Sequence, residues 1–112
     1  MSEKKRDFTV EFLKLIGHSS ILKIFDLLKE GEKTSSVIEN KLDRAQSTVS
    51  EHLNKLVDYN LITFERRGKR KYYKIRNMQI INLIDRVKLM ATEINKLKFK
   101  DIRDADVEDT LS

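Results

Sequence analysis

Apolar residues recur at helical spacing from Phe8 to Val57, alternate with polar ones over residues 62–75, and return to helical spacing from Ile80 to Leu97. A strand buries every second residue and a helix every third or fourth, so this pattern leaves room for one short β-hairpin between two helical blocks. The 112 residues are enough for one domain and too few for two. With 39% hydrophobic residues the core is modest, which leaves apolar surface for a second subunit to complete. There is no Pro and there are only three Gly, so nothing reads as an interdomain linker.

Phe8, Phe12, Leu15 and Ile16 predict a first helix over 5–16. Ser19 is placed to cap a second, whose apolar face is Ile21, Ile24, Phe25 and Leu28 and which ends before Gly31. A short helix is expected over 35–42, with Thr34, Ser35 and Ser36 as candidate caps and Ser36 and Glu39 at capping-box spacing. Gln46 to Asp58 reads as a fourth helix with Val49, Leu53, Leu56 and Val57 on its buried stripe. Ile62–Glu65 and Lys71–Ile75 read as strands joined by a turn at Arg66–Arg70. A long helix over 77–98 closes the domain, and 101–112 is expected to be an acidic, flexible tail. The fold expected is mainly α with a small β-hairpin, in the order α-α-α-α-β-β-α, a winged helix-turn-helix with a helix added at each end and dimeric. Residues 1–100 are expected to form this one domain.

Charge narrows the partners. Residues 1–100 carry 22 Lys/Arg against 13 Asp/Glu, and 101–112 carry one Arg against five acids. A basic body favours polyanions, nucleic acid first among them. The absence of Cys excludes disulfides and thiolate metal sites together. No apolar run suits a signal peptide or a membrane span, so a cytoplasmic protein with no membrane partner is expected.

At about 100° per residue, Ser47, Ser50, Glu51 and Asn54 stand opposite the buried stripe of the fourth helix. Gln46 lies in its first turn. Short polar side chains can approach base edges closely: Gln pairs bidentately with adenine, and Glu accepts from cytosine N4. The same face could equally be an ordinary solvated one. The hairpin weighs the choice towards DNA. From Arg66 to Arg76 there are seven basic residues and no acid. Like charges so close repel one another and add nothing to the fold, so an external polyanion accounts for them. Tyr72 and Tyr73 read as one core and one exposed ring.

Gln46-Ser47-Thr48-Val49-Ser50-Glu51-His52-Leu53, followed by Leu56 and Leu61-Ile62, resembles the helix-turn-helix of the ArsR family of regulators. Arg66-Arg67-Gly68-Lys69-Arg70-Lys71-Tyr72-Tyr73 resembles that family's wing, and Gly17–Ile24 its second helix. The resemblance covers about residues 10–95. It implies a homodimer joined through its first and last helices, binding inverted-repeat operators, usually as a repressor. The residues expected to contact DNA are Gln46, Ser47, Thr48, Ser50, Glu51, His52, Asn54 and Lys55, with Arg66, Arg67, Lys69 and Arg70 in the wing. In the last helix Ile80, Ile84, Val87, Ala91 and Ile94 alternate by four and three, with Leu83, Met90 and Leu97 on a flanking row. These two rows, with Phe8 and Phe12 of the first helix, are the expected dimer interface.

Three departures qualify the resemblance. Metal- and arsenical-sensing members use Cys before the recognition helix, or Asp/His and His/Glu pairs in the last helix. This chain has no Cys, and Asp85 and Glu93 lack His partners, so no metal or cofactor is expected and the effector is unknown. Ala45 replaces a common N-cap Ser, a loss of about 1 kcal/mol. Glu51 replaces a common basic residue and trades affinity for selectivity.

His18 falls at a helix start, as a capping or surface residue. His52 lies at the edge of the buried stripe, where packing and DNA contact stand as equal readings. Asp104, Asp106, Glu108 and Asp109 lack the Gly and terminal Glu of a calcium loop and read as a solvated tail. No motif gathers a nucleophile, base and metal set, so an enzyme is not expected. A sequence-specific regulator, a low-specificity architectural DNA binder and a protein-contact module remain, in that order.

Overall fold

A computed structural model describes residues 7–111, with side chains placed for residues 7–100. The elements are α1 (Phe8–Ile16), α2 (Ser19–Lys29), β1 (Lys33–Thr34), α3 (Ser35–Leu42), α4 (Gln46–Asp58), β2 (Ile62–Arg67), β3 (Arg70–Ile75) and α5 (Met78–Leu111). The chain separates into one unit ending at Ile81 and a second from Asn82 onward.

The first unit is built around helix faces that the apolar spacing dictates. Ile21, Ile24 and Phe25 from α2, Ile38 from α3, and Val49, Leu53 and Leu56 from α4 are all essentially inaccessible to solvent. Leu61, Ile62 and Tyr73 from the sheet region and Ile80 and Ile81 from α5 complete the core. Val57, expected on the buried stripe of α4, is only half-buried. The caps show how local chemistry starts each helix. Asp7 accepts from the Thr9 amide at 2.9 Å, and Thr34 accepts from the Val37 amide at 3.3 Å to start α3. At α2 the cap is His18, whose Nδ1 accepts from the Ser20 amide at 3.1 Å, and not Ser19 as the side-chain type suggests. Ala45 has the extended backbone of a cap, φ −61° and ψ 148°, and no side-chain bond.

The sheet has three strands where the alternation predicts two. β1 pairs antiparallel with β3 through Lys33↔Tyr73 and Thr34↔Tyr72, giving the order β1-β3-β2. Two residues are too few to show a period, so only the pairing reveals the strand. The wing is also more regular than expected. β2 and β3 pair from Ile62↔Ile75 to Arg67↔Arg70, which shortens the turn from Arg66–Arg70 to Gly68-Lys69. Gly68, at φ +63°, takes the first central position, where two-residue hairpins need a positive φ.

In the second unit the α5 backbone is helical to Leu111, beyond the end at 98 that the apolar spacing suggests. The side chains of the acidic segment 101–112 lie outside the described residues, as do residues 1–6, including the expected first turn of α1. Leu83, Val87, Met90, Ile94 and Leu97 are exposed along the helix. Ile80 and Ile84, both expected in a subunit interface, are 3% and 4% exposed within the single chain.

Candidate nucleic-acid interface

The fourth helix separates its residues by face. Packing Val49, Leu53 and Leu56 into the core leaves Gln46, Ser47, Ser50, Glu51, Asn54 and Lys55 exposed, with Thr48 and His52 half-buried between the two sides. The turn ahead of α4 is set by Asp43, which adopts the left-handed conformation at φ 54° and ends α3. The first-turn amides of α4 receive no side-chain cap from Ala45.

His52 does not share the fully exposed face. Its ring lies against that of His18, centroids 4.8 Å apart, and its Nε2 is buried with no hydrogen-bond partner among the described residues. Burial holds the His52 pKa below its ordinary value; His18, Arg44 and Lys55 push the same way, against Glu51. The ring also lines an open groove of about 1100 Å³, bounded by α1, the start of α2 and α4 and including Glu11, His18, Lys55 and Tyr59. Sequence spacing could not bring His18 and His52 together, because they stand 34 residues apart and only the fold sets the cap of α2 against α4.

The wing carries its charges on both faces and at its tip. Arg66, Lys69 and Arg70 are exposed and form no ion pair among the described residues. Lys71, which the sequence reading did not single out, places its ammonium 4.6 Å from the Phe64 ring centroid. Arg67 differs from its neighbours. Its Nη1 and Nη2 donate to the two carboxylate oxygens of Glu32 at 2.7 and 3.0 Å, and its Nε donates to Glu65 at 3.1 Å. These bonds hold the guanidinium pKa above its ordinary value, Glu32 contributing most, and the Arg67 contact holds that of Glu65 below its own. The expectation of four wing cations without fixed partners is therefore corrected for Arg67. Glu32 was missed because it stands 35 residues away, in a loop with no period to mark it.

Comparison with known proteins places this geometry. The family model described as "Bacterial regulatory protein, arsR family" matches residues 19–63, from α2 through the start of β2. The transcriptional repressor SdpR of Bacillus subtilis is 32% identical over 83 residues, covering 74% of this chain and 89% of that protein. The chain belongs to the ArsR family. An arsenical resistance operon repressor of Staphylococcus aureus is 28% identical over 94 residues, covering 84% of this chain and 90% of its own. Among solved structures, the homodimeric winged helix-turn-helix DNA-binding domain Mb0332 of Mycobacterium bovis superposes with a TM-score of 0.63. It is 27% identical and is covered over 89% of its chain by 80% of this one.

As a member of the ArsR family the chain is a DNA-binding transcriptional regulator, and its relatives are regulators and not enzymes. The S. aureus relative's name points to arsenicals, but this chain has no Cys to supply thiolates. Among the described residues no group of three or more His, Cys, Asp or Glu is arranged to hold a metal ion. No helix of the described residues is long and apolar enough to cross a membrane.

Proposed function

We infer that this protein is a homodimeric transcriptional repressor that recognises a palindromic operator, with α4 in the major groove and the wing on the flanking backbone. The observation that carries the reading is the division of α4. Val49, Leu53 and Leu56 are fully committed to the core while Gln46, Ser47, Ser50, Glu51 and Asn54 stand exposed on one surface. A helix held rigidly by one face can present the other to base edges at a fixed depth. Gln46, Ser47, Ser50 and Asn54 then read bases, while Thr48, His52 and Lys55 flank them. Glu51 accepts from a cytosine amine or else repels the backbone, and the two roles differ in sign. Arg66, Lys69 and Arg70 neutralise phosphates.

The partner subunit covers the exposed residues Leu83, Val87, Met90, Ala91, Ile94 and Leu97 of α5, and Phe8 and Phe12 of α1 contribute to the interface. Apolar residues exposed along one helix are what an obligate interface buries. Two recognition helices would enter successive major grooves about 34 Å apart. The protein acts in the cytoplasm without a membrane partner or a catalytic role.

Selection of bound duplexes from a random library tests the reading. A palindromic motif is expected, and Gln46→Ala or Ser50→Ala should weaken the selected site by about 1–3 kcal/mol with much less effect on random DNA. Glu51→Gln should weaken the selected site and improve random ones if Glu51 reads cytosine, and tighten both if it only repels. Equal effects of all these changes on selected and random duplexes would leave the basic patch as the whole mechanism, and the architectural alternative would replace this one.

A further inference from the structure

We propose that Arg67 is a positioning residue that straps the wing to the loop ahead of β1 through Glu32, and that DNA is met by the other wing cations. The inference rests on the DNA-binding reading above and adds to it an internal anchor for the wing.

The geometry starts from how little supports the hairpin. β1 reaches only Tyr72 and Tyr73 of β3, so the ribbon from Arg66 to Lys71 has two strands and no third beside it. A two-stranded ribbon alone is marginally stable and bends easily. Arg67 is the last residue of β2, at the outer end of this unsupported part. Its guanidinium lies 4.5 Å from the centroid of the Tyr72 ring, on the central strand, and reaches Glu32 through two parallel hydrogen bonds. The third bond, to Glu65, fixes the stem of the same side chain. A planar fork matched to a carboxylate restrains angle as well as distance, which a single ammonium contact does not.

Electrostatics argue against a phosphate contact at this point. Arg67 is flanked by two carboxylates, Glu32 and Glu65, both within hydrogen-bonding distance, so the three groups together carry a net negative charge. A phosphate approaching Arg67 approaches both carboxylates as well. Arg66, Lys69 and Arg70 carry no such neighbours among the described residues, and strand alternation turns Arg66 to the opposite face from Arg67. Arg70, paired with Arg67 across the ribbon, shares its face at the tip, so the division is between residues and not faces. Arg67 is held internally, while Arg66, Lys69 and Arg70 are the cations that can meet DNA.

Two measurements test the strap. In the free protein, Arg67→Gln and Glu32→Gln should each speed amide hydrogen exchange from Arg66 to Lys71 several-fold, and the double variant should add little to either. In DNA binding, Arg67→Gln should leave the slope of log K against log salt at its wild-type value while narrowing the preference for selected over random duplex. An ordinary phosphate contact would instead flatten the slope by about 0.9 per protomer. Flattening of that size, or wing exchange equal to wild type in both single variants, overturns the proposal. If the wild-type protein binds no duplex at low salt, the DNA-binding reading fails and the exchange measurement alone decides the strap.

Discussion

Replacing Ala45 with Ser should stabilise the protein, and the size of the effect follows from the local geometry. Ala45 already has cap backbone angles, φ −61° and ψ 148°, close to those of Thr34, φ −82° and ψ 161°. Thr34 accepts from the amide three residues on at 3.3 Å. A Ser hydroxyl at 45 needs no backbone movement to reach the corresponding amide of Thr48, and the position is exposed, so no packing opposes it. Installing a cap where Ala stands is worth about 1 kcal/mol. Unfolding entropy of about 2.1 cal/mol/K per residue over 112 residues converts this to a rise in Tm of about 4 °C. Thermal unfolding by circular dichroism should be compared at one fixed protomer concentration, because dimer dissociation makes Tm depend on it. Ala45→Asp provides the contrast: it should stabilise at least as much, through the cap and the helix dipole. The same carboxylate would stand beside DNA and weaken binding. An unchanged or lower Tm for both variants would mean that the first-turn amides of α4 are already satisfied, and the capping argument would fail.

Two further outcomes follow from the same structure. His52 has a lowered pKa in the fold, so the unfolded chain takes its proton first; the contribution to stability is complete above the unfolded value of about 6.5 and is lost as pH falls below it. Urea midpoints between pH 7.5 and 5.5 should therefore fall more steeply for wild type than for His52→Gln, and parallel curves would remove His52 from the account. Val87 and Ile94 are 53% and 51% exposed, and replacing both by Glu should yield monomers that bind DNA poorly. Sedimentation showing a wild-type monomer at tens of micromolar would overturn the assignment of that face.

The amino-acid order by itself determines the helices and their buried faces, because apolar spacing is a local property that packing then satisfies. Ile21, Ile24 and Phe25 on α2 and Val49, Leu53 and Leu56 on α4 were legible for that reason, as were the α4 boundaries, the missing cap at Ala45 and the glycine turn of the wing. The helix-turn-helix and wing motifs were legible too, because residue type and spacing within a short segment carry them. Tertiary structure decided whatever depends on residues far apart in the chain. It paired Lys33-Thr34 with Tyr72-Tyr73, a strand too short to have a period. It brought the ring of His18, the cap of α2, against that of His52 on α4. It buried Ile80, which shares a helical stripe with the exposed Val87 and Ile94, so spacing alone does not tell which part of one apolar pattern the chain itself covers. It also placed Glu32 against Arg67, turning one charge in a basic run into an internal ion pair. Sequence spacing shows that a side chain is charged; only the folded chain shows what neutralises it.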